Sequence, residues 1–287
     1  MILCADDYGL SPAVSLGILE LVEEKKLSAV SCMVLGPDAG TMIEKLTKHS
    51  HCIDIGLHLV LTNDQPFTPL SQETGLTDHQ GRFLTFSELL TNIYRQRVDQ
   101  EALHDEIAAQ LSRFESLMGF SPNYIDGHQH VQQLPMIRQA VARAAKHRMG
   151  SGRTVYVRVG GIPLGWLCAK AITDLSKFSF GNFAISFPGR AASRAMRKFG
   201  VPHNRYLLGY YDYEGGENFE HVFRRYLTIK PTSEDIFFCH PGYIDDELRS
   251  RDDLVNSRVD VLQFLRSPAA VNMMDRMGVR LNTFGKS

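Results

Sequence analysis

The first 60 residues place three short β-rich apolar runs, at 2–6, 29–35 and 53–59, on either side of two stretches of helical periodicity. No other feature limits the fold so strongly. A chain that returns through a helix enters its next strand in the same direction, so these units predict a parallel sheet. Ser11-Pro12 forms an N-cap and N1 pair, and Val14, Ile18, Leu21 and Val22 share one face of the helix that follows. Asp38 is placed to cap a second helix carrying Met42, Ile43 and Leu46.

Residues 60–99 break the rhythm with Pro66, Pro69, Gly75 and Gly81. They predict an insertion after the C-terminal end of a strand, long enough to form a lid or a subdomain. The alternation then resumes. Leu103, Ile107, Leu111 and Phe114 mark a helix, 123–126 a strand, Pro135 to about Lys146 a helix, and 154–159 a β-branched strand. The stretch 162–202 reads as two helices and an irregular crossing. Further strands are predicted at 205–211, 235–240 and 279–282, with helices at 217–227 and 252–265. The expected architecture is one domain over 1–287, a single distorted TIM-like (β/α) barrel with the 60–99 insertion.

Composition removes several function classes. The 287 residues carry 31 Lys+Arg against 32 Asp+Glu, a formal charge of −1, which does not suit a nucleic-acid-binding surface. No run approaches the roughly 18 apolar residues of a membrane span. The N-terminal residues lack a signal-peptide pattern, which predicts a cytoplasmic protein. The five cysteines, Cys4, Cys32, Cys52, Cys168 and Cys239, are scattered without a CxxC, and are expected to be buried, reduced thiols. Arg190, Arg194, Arg197 and Lys198 form a basic cluster at helical spacing. It reads as a solvated face, or as a contact for an anionic substrate or a membrane surface. A homodimer is left open.

Chemistry in a parallel barrel belongs at the C-terminal ends of its strands. Those ends carry Asp6-Asp7, His58, His128-Gln129-His130, Arg158 and His240. Adjacent carboxylates repel, and a divalent cation would relieve that cost. Asp7, His58 and His128 form a three-ligand set with an open side, suited to zinc, magnesium or manganese. Asp6 is then free to act as a base and His240 to protonate a leaving group. Arg158 either pairs with Asp6 or holds substrate. His130, two residues from His128, is expected on the same face of an extended strand. Cys239 is discounted as a nucleophile, because alternation turns it away from the face of His240. Read singly, Asp6-Asp7 is also compatible with a helix-capping turn, His58 with a satisfied core histidine, and His240-Pro241-Gly242 with a strand exit.

Four motifs together resemble the YdjC-like carbohydrate deacetylase family, which includes chitooligosaccharide and hopanoid-associated deacetylases. They are Ala5-Asp6-Asp7-Tyr8-Gly9-Leu10-Ser11, Gly56-Leu57-His58-Leu59, Asp126-Gly127-His128-Gln129-His130 and Cys239-His240-Pro241-Gly242-Tyr243, in family order. The resemblance implies a distorted β/α barrel, one divalent metal on Asp7, His58 and His128, Asp6 as base and His240 as the later catalytic histidine. Arg158 and His130 would bind or orient substrate. The implied reaction is removal of an acyl group, acetyl by preference, from the amide nitrogen of an N-acetylated sugar or oligosaccharide. A metal-dependent phosphoesterase, a glycosidase and a non-catalytic sugar-binding protein are the competing readings. The chain departs from the family at Gln132, where many members have histidine, and at Gly160, where Arg-x-Pro is common.

Overall fold

A computed structural model of the chain describes residues 1–36, 39–150, 152–161, 180–211 and 218–284, with the backbone alone over 180–187. Its sheet contains β1 (Ile2–Tyr8), β2 (Ala29–Cys32), β3 (Asp54–Leu59), β4 (Tyr124–Gly127), β5 (Tyr156–Val157), β6 (Leu207–Leu208) and β7 (Ile236–Cys239). Every pairing is parallel, in the order β5-β4-β3-β2-β1-β7-β6. The early helices fall where periodicity puts them. Pro12–Glu23 starts with Pro12 after an Ser11 cap, whose Oγ accepts the Val14 N–H at 3.3 Å. The expected Asp38 cap and the segment 162–179 lie outside the described residues.

Strand alternation sorts the core into two layers. Leu3, Ala5, Phe237 and Cys239 pack with the helices in the large core. Ile2, Cys4, Ala29, Tyr124, Leu207, Tyr210, Ile236 and Phe238 form a smaller cluster on the opposite face of the sheet. Tyr124 presses so closely on β3 that a Cβ at Gly56 would lie 2.4 Å from its ring.

The expected closed barrel is not formed: the seven strands make an open half-barrel. Among the described residues β5 and β6 are two-residue strands that form no ladder with each other. The seam between them is held instead by one parallel bridge, Val157 to His203, by bonds from Val157 N to Pro202 O (3.0 Å) and Leu207 N to Gly161 O (2.8 Å), and by the Asn204 side chain on Val159 N (2.8 Å) and O (2.9 Å). The predicted strand at 279–282 is also absent. That segment bonds Met1, Asn282 N to Met1 O at 2.9 Å and the Met1 amino group to Arg280 O at 2.6 Å, and the end of the preceding helix, Val279 N to Met274 O at 2.9 Å. The helix predicted at 252–265 starts later, at Ser257–Arg266, and a separate short helix, Asp246–Arg251, precedes it.

The insertion has structure that periodicity did not reveal. It contains an antiparallel bridge from Thr77 to Phe83 and a helix, Phe86–Tyr94, opened by a Thr85/Glu88 capping box. Its root is held by two fully buried polar residues of the helix Gln100–Met118. Gln110 exchanges bonds with Val60 N (3.1 Å) and O (2.7 Å), and Glu106 accepts the Phe67 and Thr68 N–H groups at 3.0 and 2.8 Å. Between these anchors Arg251 ties Asp64 to the backbone O of Leu10.

Cys4, Cys32 and Cys239 are buried, and burial pushes each thiol up, away from reactivity. Cys52 corrects the expectation of uniform burial: it sits exposed in a turn. Arg190, Arg194, Arg197 and Lys198 are exposed on the helix Phe180–Phe199. Among the described residues no helix is long and apolar enough to cross a membrane.

The Glu106 anchor is testable. Glu106→Ala removes the charged acceptor of the part-buried Phe67 and Thr68 N–H groups, at a cost of about 1.5–3 kcal/mol for hydrogen bonds to a charged group. Urea denaturation should show that loss, and limited proteolysis should cut within residues 64–85 sooner than in the parent. Unchanged stability together with an unchanged digest would refute the anchor.

Candidate active site

Consecutive residues on a regular strand point to opposite faces, so Asp6 and Asp7 should not both reach one site. They do so because β1 bulges. Ala5 pairs with Val30 but Tyr8 pairs with Cys32, three steps on one strand against two on its neighbour. Asp7 takes φ 70°, a left-handed conformation that aspartate tolerates better than most residues. The slip also explains why Ala5 and Tyr8, of opposite parity, share the helix-side core.

Asp7 Oδ1 lies 3.2 Å from both His58 Nε2 and His128 Nδ1. The three donor atoms fall within 4.8 Å of one another, at the ends of β1, β3 and β4. Two imidazole nitrogens and a carboxylate oxygen on one small space match the donor chemistry of a divalent cation. The support behind them matches too. His58 Nδ1 is 2.7 Å from Asp126 Oδ1, the carboxylate–histidine arrangement that orients a ligating ring. Burial alone favours a neutral His58. Asp126, with help from Asp7 and Asp6, reverses that and pushes its pKa up to about 10. These acids favour the protonated ring when no cation is bound, and a cation at Nε2 would replace a proton there.

Beneath this set lies a buried ion network. Arg158 grips Asp6 with two bonds, Nη1 to Oδ1 at 2.6 Å and Nη2 to Oδ2 at 2.7 Å, and reaches Asp126 Oδ2 at 2.9 Å. Ser31 donates to the same Asp126 oxygen at 2.6 Å. Burial would raise the Asp6 pKa, but Arg158, aided by His58, holds the carboxyl below its ordinary range. Cys4, Asp6 and Asp126 also cluster like metal ligands, but the Arg158 guanidinium already occupies the space they share. Arg158 is fully buried, so of its two expected roles the structure displays the pairing with Asp6.

His240 stands beside the paired acids, with Nε2 4.0 Å from Asp6 Oδ2 and 3.9 Å from Asp7 Oδ2. Burial lowers its pKa, and the two acids pull it partly back. Its side chain keeps 15% exposure, which leaves it within reach of a bound molecule. Cys239 faces the helix-side core, as alternation required.

His130 does not share a strand face with His128. Residues His128–Gln133 form a 3-10 turn in which Gln129 and His130 both take positive φ. That turn carries the His130 ring to Tyr210 and Phe238, with centroids 5.5 and 5.1 Å away. Its Nδ1 has no hydrogen-bond partner among the described residues, and burial followed by Arg158 lowers its pKa to about 3. The two departures from the family pattern are both accommodated here. Gln132 donates to Arg158 O at 3.1 Å, and Gly160 N–H donates to Gln133 Oε1 at 2.7 Å, which proline could not do.

Two contributors were not evident beforehand. Asp126 is quoted in a motif, but its role as hub depends on strand register. Arg258, from the helix Ser257–Arg266, donates to Asp7 Oδ2 at 2.8 Å, and no sequence signal marks it.

An open parallel α/β half-barrel with an Asp/His/His group at three strand ends and a guanidinium-paired acid beside it defines the class. The chain belongs to the YdjC-like protein family, whose model matches residues 1–276. A carbohydrate deacetylase of Mus musculus is 34% identical over 145 residues, 50% of this chain and 46% of that protein, so the match spans less than half of the mouse relative. A carbohydrate deacetylase of Geobacillus stearothermophilus is 26% identical over 280 residues, covering 98% of this chain and 94% of its own length. Among solved structures, a candidate cellobiose-phosphate cleavage protein of Enterococcus faecalis superposes with a TM-score of 0.74. It is 21% identical and covers 98% of this chain and 96% of its own, a likeness that shows the fold alone.

Removing Arg158 should expose how much the network depends on it. Arg158→Met leaves Asp6 and Asp126 buried without their cation, an expected loss of about 3–5 kcal/mol by denaturant unfolding. Adding Asp126→Asn should restore part of that loss. Strictly additive losses would show that Arg158 does not compensate Asp126.

Proposed function

We propose that this chain is a metal-dependent hydrolase that removes an acyl group, acetyl by preference, from the amide nitrogen of an N-acetylated sugar or oligosaccharide. The observation that carries the reading is the meeting of Asp7, His58 and His128 at one point, with Asp6 and His240 alongside. The sugar comes from the relatives: the mouse and Geobacillus proteins are both named carbohydrate deacetylases.

Asp7, His58 and His128 would hold one divalent cation, with zinc favoured by two imidazoles and magnesium or manganese compatible with the carboxylate. When bound, the cation supplies Lewis-acid polarisation of a carbonyl and lowers the pKa of a water. Asp6, held as a carboxylate by Arg158, takes a proton from the attacking water. His240 gives a proton to the amide nitrogen as the C–N bond breaks, because a free amide anion is a very poor leaving group. The products are a carboxylic acid and a free amine. His130 orients the substrate from its aromatic setting against Tyr210 and Phe238. The insertion starts beyond His58, and Asp64 is tied by Arg251 to the chain after β1, so the insertion shapes the subsite for the remainder of the sugar.

Metal content and acetate release from N-acetylated amino sugars test the assignment together. His58→Ala should fold yet lose stoichiometric metal. Asp6→Asn should keep its metal and lose on the order of 10²–10⁴-fold in rate, and His240→Ala should behave likewise. Asp126→Asn should weaken metal binding about 10–100-fold. Full metal occupancy in His58→Ala sinks the ligand set. A metal-loaded parent that releases no acetate from any such sugar sinks the reaction.

The Arg251 tie gives a separate expectation. Arg251→Ala should raise KM for long oligosaccharides more than for a monosaccharide and leave metal content unchanged. Equal effects on short and long substrates would count against the insertion as a subsite.

A further inference from the structure

Asp7 presents its two oxygens to different partners. Oδ1 faces His58 Nε2 and His128 Nδ1, each at 3.2 Å. Oδ2 accepts the Arg258 Nη2 hydrogen at 2.8 Å. Arg258 lies 251 positions along the chain and is fully buried. A guanidinium taken out of water is costly unless closely paired. This one also donates to Asp252 Oδ2 at 2.7 Å and, through Nε, to Leu254 O at 2.6 Å. Its own carbonyl accepts the Gly242 N–H at 3.2 Å, so the same residue steadies the turn that follows His240.

We infer that Arg258 is a positioning residue: by occupying Oδ2 of Asp7 it leaves Oδ1 alone to meet a cation, and it holds the left-handed Asp7 in the bulge so that Oδ1 sits between the two imidazoles. The inference rests on the metal-dependent reading above. A carboxylate free to turn can give a cation both oxygens and fill a position that water or a carbonyl needs. A carboxylate held at one oxygen keeps the three-ligand site open. The positive charge of Arg258 also opposes a nearby cation, so raw metal affinity is not what it provides. Losing Arg258 therefore separates two quantities that a merely structural residue would move together.

The experiment compares the cobalt(II)-loaded parent protein with Arg258→Met and Asp252→Asn, measuring cobalt affinity, the visible absorption spectrum, kcat and KM. Arg258→Met should bind one cobalt ion as tightly as the parent or more tightly. Its visible band should weaken as the ion gains a ligand atom. Its kcat should fall about 10–100-fold, the range for an outer-sphere partner, with KM little changed. Asp252→Asn loosens Arg258 without removing it and should move each quantity the same way by less. Parent-like spectra and kcat in both variants overturn the inference, as does a folded Arg258→Met that loses cobalt affinity and kcat together. If Arg258→Met does not fold, Asp252→Asn decides: a shifted spectrum with affinity retained supports the role, and an unchanged spectrum overturns it. A parent protein that takes up no cobalt fails at the metal reading itself, a result distinct from any of these.

Discussion

Three carboxylates are buried together at one end of the sheet, and everything else in the site follows from how their charge is balanced. Asp6, Asp7 and Asp126 are each at most 1% exposed. Left alone, such a group would be among the most expensive things a fold can bury. Arg158 serves Asp6 and Asp126, Arg258 serves Asp7, and His58 bridges Asp7 and Asp126. The residues come from the ends of β1, β3 and β4, from just beyond β5, and from a helix near the C-terminus. A shift in any of these elements would separate a charge from its partner. The network therefore ties the precision of the site to the register of the whole sheet.

The bulge in β1 is the second constraint. Without it, Asp6 and Asp7 would look to opposite sides of the sheet, one into the helix-side core. With it, Asp6 faces Arg158 and Asp7 faces the histidines, so two adjacent acids have separate tasks. The left-handed backbone at Asp7 costs energy, and its side chain is bonded on both oxygens, which holds the turn in place. The 3-10 turn after β4 follows the same logic. Two consecutive left-handed residues, Gln129 and His130, re-aim a histidine that an extended strand would have placed beside His128.

Much of the site was legible in the chain because its residues sit at the ends of short apolar runs, where local pattern is most informative. Asp6, Asp7, His58, His128, Arg158 and His240 are all brought to one region. The misplaced features share a different character. The barrel was expected to close, yet closure depends on pairing between β5 and β6, which lie far apart in the chain, at Tyr156–Val157 and Leu207–Leu208. The segment 279–282 has strand-like composition but bonds Met1 and Met274 rather than a neighbouring strand. His130 depended on backbone torsions, and Arg258 on a contact 251 residues away.

Local periodicity thus determined by itself the alternation of strands and helices, the parallel sheet and the polar residues at strand ends, because these depend on neighbours a few positions apart. Tertiary structure alone decided that the sheet stays open, that a bulge turns two adjacent acids to one side, and which guanidinium neutralises which carboxylate. Each of those outcomes depends on register and on charges brought together from distant parts of the chain. A pattern of neighbouring residues carries no record of either.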